Sequence, residues 1–331
     1  MRGSRSSGIA LGVPDFMVDF LSLFLCNASG PCHRRSMTVA DDFQRFRANY
    51  LIPSATVSLI SSRYKAITRR LNTDFWNTLS DTAHSLYVGS YGRDTAANGV
   101  SDLDVAFTLP NAVYHQYNGY SGNGQSALLQ AVRASIAKTY PTTAVGGDGQ
   151  VVAVQFTDGQ RYEVLPVFLD SANKFTFADS NGGGSWRSYD PRAEMSAFSA
   201  RDSATANGNL KAICRMARIW KSYCGVPISG MLIDTFAYNF IASWPHRDKS
   251  FMYHDYLVRD FMEYLSKIDR TQTYWLAPGS NSYVYKKGDF QTPAANAHRN
   301  AVEGVRCDVA KLDWAYTQAW RKIFGTTFPI R

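Results

Sequence analysis

Residues 86–107, LYVGSYGRDTAANGVSDLDVAF, hold the side chains whose types and spacing suit chemistry best. Gly89 lets a turn approach a ligand closely, and the Ser90 hydroxyl beside free backbone N–H groups can hold phosphate oxygens. Asp102 and Asp104 open an apolar run two residues apart, so a strand would present both carboxylates on one face. Like charges side by side repel, raise a carboxylate pKa and oppose folding unless a cation neutralises them, which points to a divalent metal. Glu163, a charge inside the apolar stretch YEVLPVF, supplies the third carboxylate that two-metal chemistry on a triphosphate draws from a neighbouring strand. Gly-Ser turns and lone D-x-D strands are commonplace; the combination of all three features predicts a phosphate-handling metal site.

The elements that must position these residues are read from the surrounding pattern. Runs at 86–89, 103–109, 151–156 and 162–169 have strand character, and Asp158-Gly159 makes the last two a hairpin. Ahead of them come DDFQRFRANYL, a break at Pro53, and SATVSLISSRYKAITRRLNTDFW. The last carries Val57, Ile60, Tyr64, Ile67 and Leu71 at helical period, with Arg63, Lys65, Arg69 and Arg70 mainly on a solvated face. After Asp170 a glycine-rich loop at 181–185 gives way to helical patterns. One, capped by Asn207 or Asn209, sets Leu210, Ile213, Ala217 and Trp220 against Lys211, Arg215 and Arg218; others fall at 232–242, 256–267 and 309–324. The chain is thus expected to comprise an extension (1–36), an α+β core of mixed sheet and long spine helix (37–170) and a mainly helical lobe (171–331).

The chain has 331 residues, of which 35 are Lys or Arg and 27 Asp or Glu, giving a net charge of +8, and 45% are hydrophobic. This is the composition of a globular protein and excludes disordered and small disulfide-stapled classes. Five cysteines form no C-x-x-C pair and, with scattered histidines, no zinc spacing, which points to a reducing cytoplasm. The basic balance permits an anionic partner without choosing one. Pro14, Asp15 and Asp19 interrupt the apolar stretch at 9–26, arguing against a signal peptide or membrane span and placing the start of the domain at Met37.

The pattern G-S-x-x-R-x-T, from Gly89 to Thr95 with Arg93 as its fifth residue, then D-x-D and a later acidic-V-L-P strand, resembles the nucleotidyltransferases of the DNA polymerase beta superfamily. It is most similar to the branch holding oligoadenylate synthase, cyclic GMP-AMP synthase and the bacterial cGAS/DncV-like nucleotidyltransferases (CD-NTases). LKAICRMARIWK at 210–221 resembles the helix facing the triphosphate, ISGMLID at 228–234 the following S-x-x-L-E element, and WRKIFGTTFP at 320–329 the bacterial closing motif. The resemblance implies a bilobed fold with a nucleotide cleft between the lobes. It makes Asp102, Asp104 and Glu163 the ligands of two Mg²⁺ or Mn²⁺ ions, and assigns nucleotide binding to Gly89, Ser90, Arg93, Ser229 and Arg218, with Lys221 one turn on as the alternative. Glu163 replaces the more usual aspartate, and Gly230 and Asp234 stand where serine and glutamate are common. The implied activity joins NTPs (ATP, GTP or pyrimidine NTPs) into a cyclic oligonucleotide second messenger in anti-phage (CBASS-type) signalling, with an effector sensing the product and regulatory partner proteins as further contacts. The rival expectations are a template-independent transferase acting on RNA ends or making linear oligonucleotides, and a non-catalytic nucleotide or nucleic-acid binding module. No counterpart of the zinc-ribbon insertion is present, so activation by DNA is unsupported.

Overall fold

The two-residue alternation of the strands sorts their side chains onto two faces, and the fold follows from covering both. The computed structural model of the chain describes residues 37–100 and 102–331; the expected extension at 1–36 lies outside the described residues. Two helices lead, α1 (Val39–Tyr50), closed by a Thr38/Asp41 capping box, and α2 (Ser54–Leu71) after the Pro53 break. Strand β1 (Ser85–Tyr87), the single turn α3 (Gly89–Gly92) and β2 (Asp102–Thr108) follow. Next come α4 (Asn111–Asn118), α5 (Gly124–Thr139), β3 (Ala144–Asp148), β4 (Val151–Gln155) and β5 (Arg161–Leu169).

The sheet has the order β1-β2-β5-β4-β3, with β2 and β5 parallel and the other pairs antiparallel. Leu103, Val105 and Phe107 of β2 and Tyr162, Val164 and Phe168 of β5 face a layer formed by α2 and α5, where Ile60, Tyr64, Ile67, Leu128 and Val132 meet them. The spine helix is therefore real, and its predicted stripe is the buried one except for Val57, which is 39% exposed. By alternation Asp102, Asp104 and Glu163 fall on the opposite face.

That sheet does not stop at Asp170. β6 (Phe175–Asp179) pairs with β5, β7 (Ser185–Tyr189) pairs with β6, and the glycine-rich loop merely joins them. Phe175 and Phe177 pack with Val88, Ala106 and Val167, giving this end of the carboxylate-bearing face its own small core. The helical part runs through α6 (Pro191–Thr205), α7 (Asn209–Cys224), α8 (Gly230–Ser243), α9 (His254–Ser266), the hairpin β8 (Tyr274–Leu276) and β9 (Tyr283–Tyr285), α10 (Gln291–Val309) and α11 (Asp313–Phe324). The helix expected at 309–324 starts later: Val309 ends α10, Lys311 takes a positive φ of 56°, and α11 starts afresh at Asp313. Neither Asn207 nor Asn209 caps α7, whose cap position is Gly208; Asn209 instead donates from its side chain to the carbonyls of Arg247 and Lys249.

The first helix, read with the sheet domain, belongs to the helical core. Phe43 and Phe46 pack with Trp320, Phe324 and Phe328 in edge-on and tilted ring contacts. Residues 37–331 form one unit.

Candidate active site

The turn at Gly89 is built onto β2. Val88 N–H donates to the carbonyl of Asp104 at 2.9 Å, and the chain then reverses into α3 with Gly89 at a φ of +60°. A Cβ on Gly89 would sit 1.8 Å from Oδ2 of Asp104, so only glycine lets the turn lie against that carboxylate. The carbonyl of Ser90 accepts from the N–H groups of Thr95 and Ala96, which fixes the loop behind it. The N–H groups opening the turn have no acceptor in their own helix, the usual condition for holding an anion.

Asp104 and Glu163 stand directly opposite each other in the parallel β2/β5 register, and Asp102 is opposite Arg161. The Asp104 carboxyl is pushed up to about 6 by burial, then by the negative charge of Glu163, with Asp102 adding and Arg93 opposing. Asp102 is exposed at the strand's head. Glu163 accepts from Nε of Arg161 at 2.9 Å, and Arg161 also reaches Asp148 at 2.8 Å. Among the described residues no three carboxylates, histidines or cysteines converge as a metal-holding group. Asp104 and Glu163, with Gly89, line a cavity of about 740 Å³ between the open sheet face and the helical part. These are hard oxygen donors whose mutual repulsion a divalent cation would relieve, and they fit such an ion once Glu163 leaves Arg161.

Residues 37–202 match the family described as the Second Messenger Oligonucleotide or Dinucleotide Synthetase domain, SMODS. The chain belongs to this family. It is a nucleotidyltransferase of the oligonucleotide-synthesising kind, a CD-NTase. The fold agrees: Escherichia coli MS115-1 CdnC in complex with HORMA-deltaN superposes with a TM-score of 0.63 at 14% identity, over 88% of this chain and 98% of that one. The Bradyrhizobium diazoefficiens CD-NTase CdnG in complex with GTP gives 0.62 at 12% identity, over 88% and 96%. Vibrio cholerae DncV cyclic AMP-GMP synthase, in complex with its linear intermediate, gives 0.61 at 12%, over 86% and 94%. No curated protein matches by sequence.

In this synthetase the other expected site residues divide into two groups. Ser229 caps α8, its Oγ accepting from Leu232 N–H at 3.1 Å, and lines the same cavity as Asp104. Ser90 lines a separate cavity together with Arg218. Arg93 and Arg218 are committed to protein carboxylates. Arg218 donates to both oxygens of Asp234, at 2.5 and 2.8 Å, and Arg93 donates to Asp234 at 3.1 Å and Glu194 at 2.9 Å. Thr95 adds a 2.8 Å bond to Asp234. Asp234 is fully buried; burial pushes its carboxyl up, and Arg218 with Arg93 outweighs that and holds it below the ordinary value. The cluster pins the Gly89–Ser90 turn to α6, α7 and α8. Lys221 has no ion-pair partner among the described residues; burial, then Arg218 and Lys287, lowers its pKa while Asp102 opposes. A cation so placed gains from an added anion, whereas the charge of Arg218 is already matched.

Sequence reasoning missed the hairpin β8–β9, whose Tyr283 and Tyr285 line the cavity at 61% and 63% exposure, with Met231 and Lys287 beside them. Its short Y-V-Y alternation was the available signal. It also missed Glu194, and left Asp234 as a departure from a motif when a carboxylate within the apolar MLIDTF was the mark of a buried charge pair.

Proposed function

We propose that this chain joins nucleoside triphosphates into a cyclic oligonucleotide, releasing pyrophosphate at each bond. The observation that carries the reading is the placement of Asp104 opposite Glu163, with Asp102 on the same strand face, against the Gly89 turn. Asp102, Asp104 and Glu163 would hold two Mg²⁺ or Mn²⁺ ions, which when bound lower the pKa of an attacking ribose hydroxyl and neutralise charge on the leaving pyrophosphate. The ribose oxygen forms a bond to the α-phosphorus as the bond to the β-phosphate oxygen breaks. The N–H groups of the Gly89–Ser90 turn, Ser229 and Lys221 hold the triphosphate, and the rings of Tyr283 and Tyr285 give a base a flat surface. Arg93 and Arg218 serve by positioning the turn.

Cyclisation requires the linear product to return its own triphosphate to the same turn. Vibrio cholerae DncV holds a linear intermediate, pppA(3′,5′)pG, in one such structure, which supports that order of events here. CdnC is found with a HORMA protein, and a regulatory protein partner is proposed for this chain by the same likeness. A role in anti-phage signalling, with an effector reading the product in the cytoplasm, completes the proposal. No helix among the described residues is long and apolar enough to cross a membrane.

The deciding experiment incubates the protein with four labelled NTPs and Mg²⁺ or Mn²⁺, treats with phosphatase and identifies the resistant product by mass spectrometry. A resistant cyclic species is expected, and lost on replacing Asp102 and Asp104 by Asn. A ladder growing on an added RNA primer, digested by phosphatase and then a 3′ exonuclease, would replace this reading with terminal transfer.

A further inference from the structure

Outside the carboxylate cavity, the molecule has a second cavity of about 640 Å³, walled by the loop at 96–100, the last turns of α7 and the segment at 318–327. Its lining has one chemical bias. It contains two arginines, several hydroxyl and amide side chains, and no aspartate or glutamate. Of the arginines, Arg218 is matched by Asp234, whereas Arg321 donates only its Nε, to the carbonyl of Phe328 at 3.0 Å. The two terminal guanidinium nitrogens of Arg321 have no partner among the described residues, and a half-buried guanidinium with free N–H groups is a fork for phosphate oxygens. Ser222, on α7, and Thr326, beside Arg321 on the 318–327 segment, offer hydroxyls from exposed residues to the same cavity. Tyr223 lines it as well, 57% exposed; Gly325 packs so closely on its ring that an added Cβ would come within 2.6 Å, leaving the rest of the ring to solvent. A free guanidinium, hydroxyls and an aromatic ring around a volume of this size are the complement of a nucleotide.

We propose that this cavity is a second nucleotide site, in which Arg321 takes the phosphates and Tyr223 stacks on the base. Its position gives it a consequence for the reaction. Ser90 lines this cavity, and the loop at 96–100 that forms one wall leads directly towards Asp102. A nucleotide bound here holds residues 96–100 behind the phosphate-holding turn, so occupancy adjusts the catalytic site from behind. The site itself does not rest on the catalytic reading, since it uses none of the three carboxylates.

Hydrogen–deuterium exchange of the full chain with ATP, in the absence of divalent cations, tests it. Exchange is expected to slow at 96–100 and 318–327 as well as at the 283–287 hairpin of the catalytic cavity. Arg321→Glu should abolish the first two protections and keep the third; Ser222→Glu, an exposed position where a charge leaves the core untouched, should do the same. Protection confined to the hairpin, or unchanged in both variants, overturns the proposal. Inorganic pyrophosphate protecting 96–100 and 318–327 as strongly as ATP would overturn the nucleotide assignment, the base then having no part. Failure of the catalytic reading looks different: no oligonucleotide product, with the ATP protection at 96–100 and 318–327 intact.

Discussion

Asp104 carries a pH dependence that separates its catalytic cost from its folding cost. Its carboxyl lies near 3.8 in an unfolded chain and about 6 in the folded one, so between these values the folded chain binds the extra proton. The contribution of Asp104 to stability is then fullest below pH 4 and falls as pH rises to 6, by on the order of 3 kcal/mol. Asp104→Asn removes that loss. In denaturation without divalent cations the variant should exceed wild type at pH 8 and lose its advantage at pH 4, while turnover is abolished; equal stability at both pH values would refute the assigned repulsion. Lys221 and Arg218 separate in the same way. Lys221→Ala should raise the apparent KM for NTP about tenfold, the effect of losing roughly 1.4 kcal/mol of phosphate contact, with little change in melting. Arg218→Ala leaves the fully buried Asp234 with Arg93 as its remaining cation and Thr95 as a hydroxyl donor, and should cost about 3–5 kcal/mol of stability. Melting curves and KM measured on both variants distinguish binding from support.

At the scale of elements, the sequence was most readable where charge interrupts apolar alternation. Asp102, Asp104 and Glu163 stand out in β2 and β5 because every second neighbour is apolar and buried, and the same alternation puts all three on the face away from α2 and α5. The strands β6 and β7 were hidden by the glycine-rich loop between them, which on sequence marks a change of lobe and in space is only a hairpin connection. The partnership of α1 was equally hidden: Phe43 and Phe46 say that the helix buries a face, but a periodic pattern names no partner, and theirs come from the far end of the chain. Arg218 shows the same limit at the site. Its place on α7 was readable, whereas its pairing with Asp234 depends on how α7 packs against α8.

For the molecule as a whole, the first and last elements are joined by charge as well as by rings. The Arg331 side chain is 3% exposed, meets Asp42 and Asp308 each at 2.8 Å and Asp313 at 3.2 Å, and lies over the Tyr316 ring at 3.8 Å. Arg331→Met keeps the stem and removes one of the two cations on Asp42, which is 1% exposed and keeps Arg45 at 2.8 Å, so a loss of about 2 kcal/mol is expected in chemical denaturation at pH 7; an unchanged midpoint would show the clamp to be idle. The placement of α1 also dictates an order of events during synthesis. The ribosome delivers Phe43, Phe46 and Tyr50 first, yet Trp320, Phe324 and Phe328, rings that cover them, emerge only after strands β1 to β7 have been made. The apolar face of α1 therefore spends most of translation uncovered, and a chain stalled after β7 would display it to chaperones and proteases.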